Sequence, residues 1–95
     1  MSEVIDAAIA ALNDKIGDAF DGTAKFVIEG EGAVLIGPGG AREGDDDAEV
    51  TLTASAENFQ AMMKGELNPT TAFMTGKLKV DGDMGAAMRL GSALT

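Results

Sequence analysis

The 95-residue chain contains no cysteine. That excludes a disulfide framework, a thiolate zinc site, an iron–sulfur cluster and a cysteine nucleophile. Histidine is also absent, which removes the commonest metal ligand and the side chain best suited to proton transfer near neutral pH. With no tryptophan and no tyrosine, the four phenylalanines are the only aromatics, so base-stacking platforms are nearly missing. A formal charge of −9 repels phosphate backbones, and no nucleic-acid partner is expected. The longest helix-like apolar stretch is interrupted by Glu3, Asp6, Asn13, Asp14 and Lys15, which is not the pattern of a membrane span. The basic start and unbroken apolar run of a secretory signal are missing too. The expectation is one cytoplasmic domain over residues 1–95, without a cofactor.

What is present is ordinary globular material. Hydrophobic residues make up 45% and charged residues 24%, which argues against disorder. Ile5, Ala8, Ile9, Leu12, Ile16 and Phe20 recur at helical spacing, so a helix is expected from about Ser2 to Phe20, with Ser2 as its cap. The period then changes to two. Phe26 and Ile28 share a face, as do Val34 and Ile36, and Gly30-Glu31-Gly32 between them signals a tight hairpin. Gly37 to Asp47, rich in glycine and ending in acids, reads as a loop. Val50, Leu52 and Ala54 form a third strand.

Ser55 then caps a helix carrying Phe59, Met62, Met63 and Leu67. Asn68-Pro69 starts a short helix that ends before Gly76. Lys77 to Asp81 alternates as a fourth strand, with Leu78 and Val80 inward, and Asp83 caps a last helix from Met84 to about Leu94. Helices before and after a run of strands predict an α+β domain with its helices on one face of a small sheet.

Few constellations carry chemistry. Gly37-Pro38-Gly39-Gly40 lacks the terminal Gly-Lys-Ser/Thr of a phosphate loop and reads as turn chemistry. Glu43, Asp45, Asp46, Asp47 and Glu49 are either a solvated, self-repelling loop or a site for a hard cation, although Val50 stands where an EF-hand would need glycine. The carboxylates have no histidine or cysteine to work with, so no enzymatic role and no catalytic residue are assigned.

Charge and methionine are unevenly placed. Residues 1–59 hold thirteen acids against three bases, net −10, whereas residues 60–95 hold three acids against four bases, net +1. Lys64, Lys77, Lys79 and Arg89 are either an ordinary mixed surface or a means of drawing an anionic headgroup or an anionic membrane. The internal methionines, Met62, Met63, Met74, Met84 and Met88, all fall in the second part. They are either core or the adaptable wall of an apolar binding space.

The stretch from Met63 to Leu90 resembles the signature of the sterol carrier protein 2 family. It contains Gly65-Glu66-Leu67-Asn68-Pro69, then Ala72-Phe73-Met74-Thr75-Gly76-Lys77-Leu78-Lys79-Val80, then Gly82-Asp83-Met84 and Ala87-Met88-Arg89-Leu90. The segment from Val50 fits more loosely, and residues 1–40 agree in pattern only. The resemblance suggests a compact, stand-alone member of bacterial type. It implies a small twisted, mainly antiparallel sheet of four to five strands, with helices over one face enclosing an apolar tunnel. It also implies non-catalytic binding and transfer of a fatty acid, fatty acyl-CoA, phospholipid or sterol.

Carried onto this chain, the tunnel positions are Phe59, Met62, Met63, Leu67, Phe73, Met74, Met84 and Met88, with Leu78 and Val80 from the sheet floor. Only one hairpin precedes Val50, which implies one strand fewer than in longer members and a more open tunnel. For a compact member of bacterial type, acyl chains are expected in preference to a sterol. Ala93-Leu94-Thr95 is not a Ser-Lys-Leu peroxisomal address. An accessory or protein-interaction domain of the same fold, its tunnel filled by side chains, is the alternative function.

Overall fold

A computed structural model describes residues 3–16, 22–37 and 39–95 less the last residue, with the side chain of Leu94 left aside. The order of elements is α1 (Glu3–Lys15), β1 (Ala24–Glu29), β2 (Gly32–Gly37), β3 (Gly40–Glu43), β4 (Val50–Ser55), α2 (Ala56–Met63), α3 (Pro69–Met74), β5 (Lys79–Gly82) and α4 (Met84–Leu94). The strands form one five-stranded sheet in the order β3-β2-β1-β4-β5. The central β1–β4 pair is parallel, and the other three pairs are antiparallel. The fold is α+β, as the pattern predicts.

One face of the sheet is continuous apolar surface. Ala24, Phe26 and Ile28 of β1, Val34 and Ile36 of β2, and Val50, Leu52 and Ala54 of β4 are all buried and join one core with the helices. Phe26 lies opposite Val34 on one side and Leu52 on the other, so the alternation in three separate strands comes into register. From α1, Ile5, Ala8 and Leu12 enter this core. The expected cap Ser2 and the expected last turn through Phe20 lie outside the described residues. Three other caps form where the sequence places them. The Ser55 hydroxyl accepts from the Asn58 amide at 3.1 Å, Asn68 Oδ1 from Thr70 at 2.8 Å, and Asp83 Oδ1 from Gly85 at 2.9 Å.

Two boundaries differ from expectation. The glycine-rich loop contains a strand, β3, so the sheet has five strands and not the four that the alternation shows. Ala41-Arg42 is too short and too polar to alternate visibly. It is held instead from α1, where Asn13 accepts from the Ala41 amide at 2.7 Å and donates to the Ala41 carbonyl at 3.2 Å. The Asn13 carboxamide thus satisfies backbone groups on an edge strand that would otherwise be open to pairing. The last strand begins at Lys79, not Lys77, because the Lys77 and Leu78 amides both donate to the Ala72 carbonyl and finish the turn of α3.

The opposite face carries Lys25, Leu35, Thr51 and Thr53. The acidic segment after β3 crosses it on the way to β4. Lys25 Nζ pairs with Asp45 Oδ1 at 2.9 Å, and a side chain placed on Gly44 would strike Leu35. This explains why Leu35 is buried although its alternation points it away from the core. Where the segment enters β4, the Thr23 amide donates to Glu49 and the Glu49 amide donates to the Thr23 hydroxyl.

Candidate functional site

The helix-covered face is the place to look for a ligand, because α2, α3 and α4 carry most of the residues singled out in the sequence. The structure divides those ten residues into three groups. Phe59, Met62 and Leu78 are buried in the core. The Phe59 ring meets Phe26 of the sheet edge-on, with centroids 4.7 Å apart and planes at 74°. Met63, Leu67 and Val80 are partly buried against the same core. Phe73, Met74, Met84 and Met88 point outward, at 43%, 79%, 47% and 72% exposure. The first six are therefore brought together between helices and sheet, and the last four stand on the outer surface of α3 and α4.

The positions that α3 and α4 turn into the core are mostly small. Ala72, Ala86, Ala87 and Leu90 are buried there, and Pro69 lies beside Gly91. Sequence reasoning missed the alanines as lining residues, although Ala86, Ala87 and Leu90 are at helical spacing and carry the inward stripe. The methionines stand out in the sequence because they are flexible, polarisable and clustered in the second part of the chain. No polar or charged side chain is buried among the described residues. An interior ligand would therefore meet only apolar groups, and its polar end would have to stay at the surface.

Cations near the surface are available for such an end. Lys25 pairs with Asp45, and Arg42 Nη2 is 3.7 Å from Asp46. Among the described residues, Lys64, Lys77, Lys79 and Arg89 form no ion pair. The first set belongs to the acidic part of the chain, and the second belongs to the part that carries the methionines.

Two concavities lie elsewhere. One of about 460 Å³ is bounded by the β1–β2 hairpin and by Glu43, Gly44 and Asp45. Another of about 340 Å³ is floored by Leu35 and rimmed by Arg42, Asp46 and Asp47. They flank the acidic segment that straps the sheet. Among the described residues, no group of three or more acidic side chains is placed to hold a metal ion. None of the described helices is long and apolar enough to cross a membrane.

The family model described as "SCP-2 sterol transfer family" matches residues 6–95. Hydroxysteroid dehydrogenase-like protein 2 of Xenopus tropicalis is 33% identical over 95% of this chain and 24% of its own length. Human sterol carrier protein 2 is 42% identical over 67% of this chain and 11% of its own length. The chain thus spans a quarter or less of these curated relatives. The solution structure of Aedes aegypti sterol carrier protein-2, described as a complex with the C16 fatty acid palmitate, has a TM-score of 0.76 at 24% identity. That match covers 100% of this chain and 97% of the other. At that identity the likeness concerns the fold.

Proposed function

The chain belongs to the SCP-2 sterol transfer family, and on that premise we propose that it binds and carries a single lipid molecule. What supports this most is that, among the described residues, the interior holds no polar side chain while Lys64, Lys77, Lys79 and Arg89 form no ion pair. The acyl chain lies between the sheet and helices α2 to α4, against Phe59, Met62, Met63, Leu67, Leu78 and Val80. Phe73, Met74, Met84 and Met88 guard its entrance. Ala72, Ala86 and Ala87 leave shallow contacts between helix layer and sheet, so the layers separate at modest cost. Each acyl methylene taken from water then contributes about 0.8 kcal/mol.

The ligand class is a fatty acid, fatty acyl-CoA or phospholipid, whose anionic group meets Lys64, Lys77, Lys79 or Arg89. The same cations make transient contact with anionic membranes during transfer. The domain's own role is non-catalytic, also where the longer relatives carry enzyme names. A second reading, an accessory domain with a filled tunnel, is favoured by the edge-on packing of Phe26 on Phe59 across the site.

Native mass spectrometry of the chain mixed with hexadecanoic acid or hexadecanoyl-CoA separates the two. One lipid bound per chain at micromolar concentration is expected. No adduct at tens of micromolar with either lipid would sink the carrier reading and leave the accessory domain. Reversing two charges, Lys77→Glu with Lys79→Glu, is expected to slow delivery to anionic vesicles more than it weakens lipid binding.

A further inference from the structure

Every large hydrophobic side chain exposed among the described residues is on α3 or α4: Phe73, Met74, Met84 and Met88. The two helices are neighbours, joined where Pro69 lies beside Gly91. Met84 and Met88 are four residues apart and so share one side of α4. Lys77 follows α3, and Arg89 follows Met88 on α4, its guanidinium lying toward Gly22 and Gly85 on the side of Glu49 and Asp83; both are exposed, and neither forms an ion pair among the described residues.

We propose that the outer surface of α3 and α4 is a bilayer-docking face, which inserts Phe73, Met74, Met84 and Met88 among the acyl chains of an anionic membrane. This deepens the membrane contact proposed above and rests on that reading. It adds which side chains enter the lipid and how the molecule is turned.

The occupant follows from chemistry and charge. Methionine is flexible and polarisable, so it makes good contact with fluid acyl chains of no fixed shape. At eleven residues, α4 is too short to span a bilayer and suits a position along its surface. Residues 60–95 carry net +1 and residues 1–59 net −10, so an anionic surface attracts one part of the molecule and repels the other. The rival amphipathic helix, α1, presents exposed Glu3, Asp6 and Asp14, and the acidic strap lies on the far face of the sheet. A two-fold dimer through the α3–α4 surface would bring Lys77 toward its own copy, which disfavours a second chain as the occupant.

The absence of tryptophan makes the test direct, since a single introduced tryptophan reports without background. Three variants are compared: Phe73→Trp, Met88→Trp and, on the exposed side of α1, Ala10→Trp. Each is mixed with vesicles of phosphatidylcholine alone or with one-third phosphatidylglycerol at low salt. The expected result is a blue shift and protection from aqueous quencher for Phe73→Trp and Met88→Trp with the anionic vesicles, and no change for Ala10→Trp. Lys77→Glu combined with Arg89→Glu in the Met88→Trp background should weaken vesicle binding by roughly tenfold or more.

A shift at only one of positions 73 and 88 would overturn the single face. So would a shift at position 10 alone, or no shift at any of the three. A shift that grows with protein concentration in the absence of vesicles would assign the face to a second copy. Hexadecanoic acid binding, measured by mass spectrometry on the unsubstituted chain and on Ala10→Trp, keeps the two proposals apart. Lipid binding without vesicle insertion removes the docking face and leaves the carrier, and insertion without lipid binding does the reverse.

Discussion

Helices α1 and α4 cover different parts of the same sheet face and do so with opposite distributions of side chains. α1 sits toward β2 and β3, buries Ile5, Ala8 and Leu12, and turns Glu3, Asp6 and Asp14 to water. α4 sits toward β1, β4 and β5, buries Ala86, Ala87 and Leu90, and turns Met84 and Met88 to water. A helix that buries its largest apolar groups is held by packing, because burial scales with area. A helix that buries alanines while exposing methionines is held less firmly per turn. Its exposed apolar surface is available to something outside the folded chain. Within a single small domain, one helix thus buries its large apolar side chains and the other leaves two of them in water.

The largest effect is expected where α1 meets the core. Leu12 is completely buried, and Leu12→Ala should cost about 2–5 kcal/mol by the cavity it leaves. A denaturant midpoint showing less than about 1 kcal/mol would mean that α1 is not the anchor that its burial implies. The junction into α4 comes next. Gly82 has φ of +110°, and a Cβ there would lie 2.6 Å from the Glu49 carbonyl oxygen. Gly82→Ala should therefore cost about 1–3 kcal/mol through backbone strain, read from the thermal midpoint. An unchanged midpoint would show that β5 can shift freely.

Removing the cap, Asp83→Ala, should cost about 1 kcal/mol. Hydrogen exchange should quicken in α4 and stay the same in α1, and equal quickening in both would show that the two helices open as one unit. The smallest stability effect belongs to the methionines. Met84→Ser with Met88→Ser should change stability by no more than about 0.5 kcal/mol, while lipid and vesicle binding fall. A loss above about 1 kcal/mol would mean that these side chains pack inward and that α4 resembles α1.

Much of the fold was legible because its signals are local. Ser55, Asn68 and Asp83 announce helix starts through side-chain oxygens that meet the nearest free amides. Phe26 and Ile28, Val34 and Ile36, and Val50 and Leu52 announce strands by alternation. β3 is not legible because a four-residue strand with Arg42 and Glu43 shows no such period; it pairs with β2, and its outer backbone groups at Ala41 are met by Asn13, 28 residues away. Leu35 escaped for a related reason. Its cover is a segment that returns over the sheet and shares no periodicity with β2.

The candidate site was legible only as a list of residues. Met62 and Met88 look equivalent in sequence, yet one is 2% exposed and the other 72%. Which of them turns inward depends on how each helix is rotated about its own axis. For α4 that rotation turns Ala86, Ala87 and Leu90 into the core, and for α2 it turns Phe59 and Met62 inward. The Met63–Leu90 signature identified the family without saying which members of the motif are core and which are surface.

The sequence alone determined the helix caps, the inward faces of β1, β2 and β4, the apolar character of the interior and the division of charge between the two parts of the chain. All of these follow from neighbouring residues or from composition. The tertiary structure decided the parallel pairing of β1 with β4, the fifth strand, the acidic strap held by Lys25 and the outward turn of Met74 and Met88. Those depend on contacts between residues far apart in the chain, and their energies exist only once the sheet and helices are packed together.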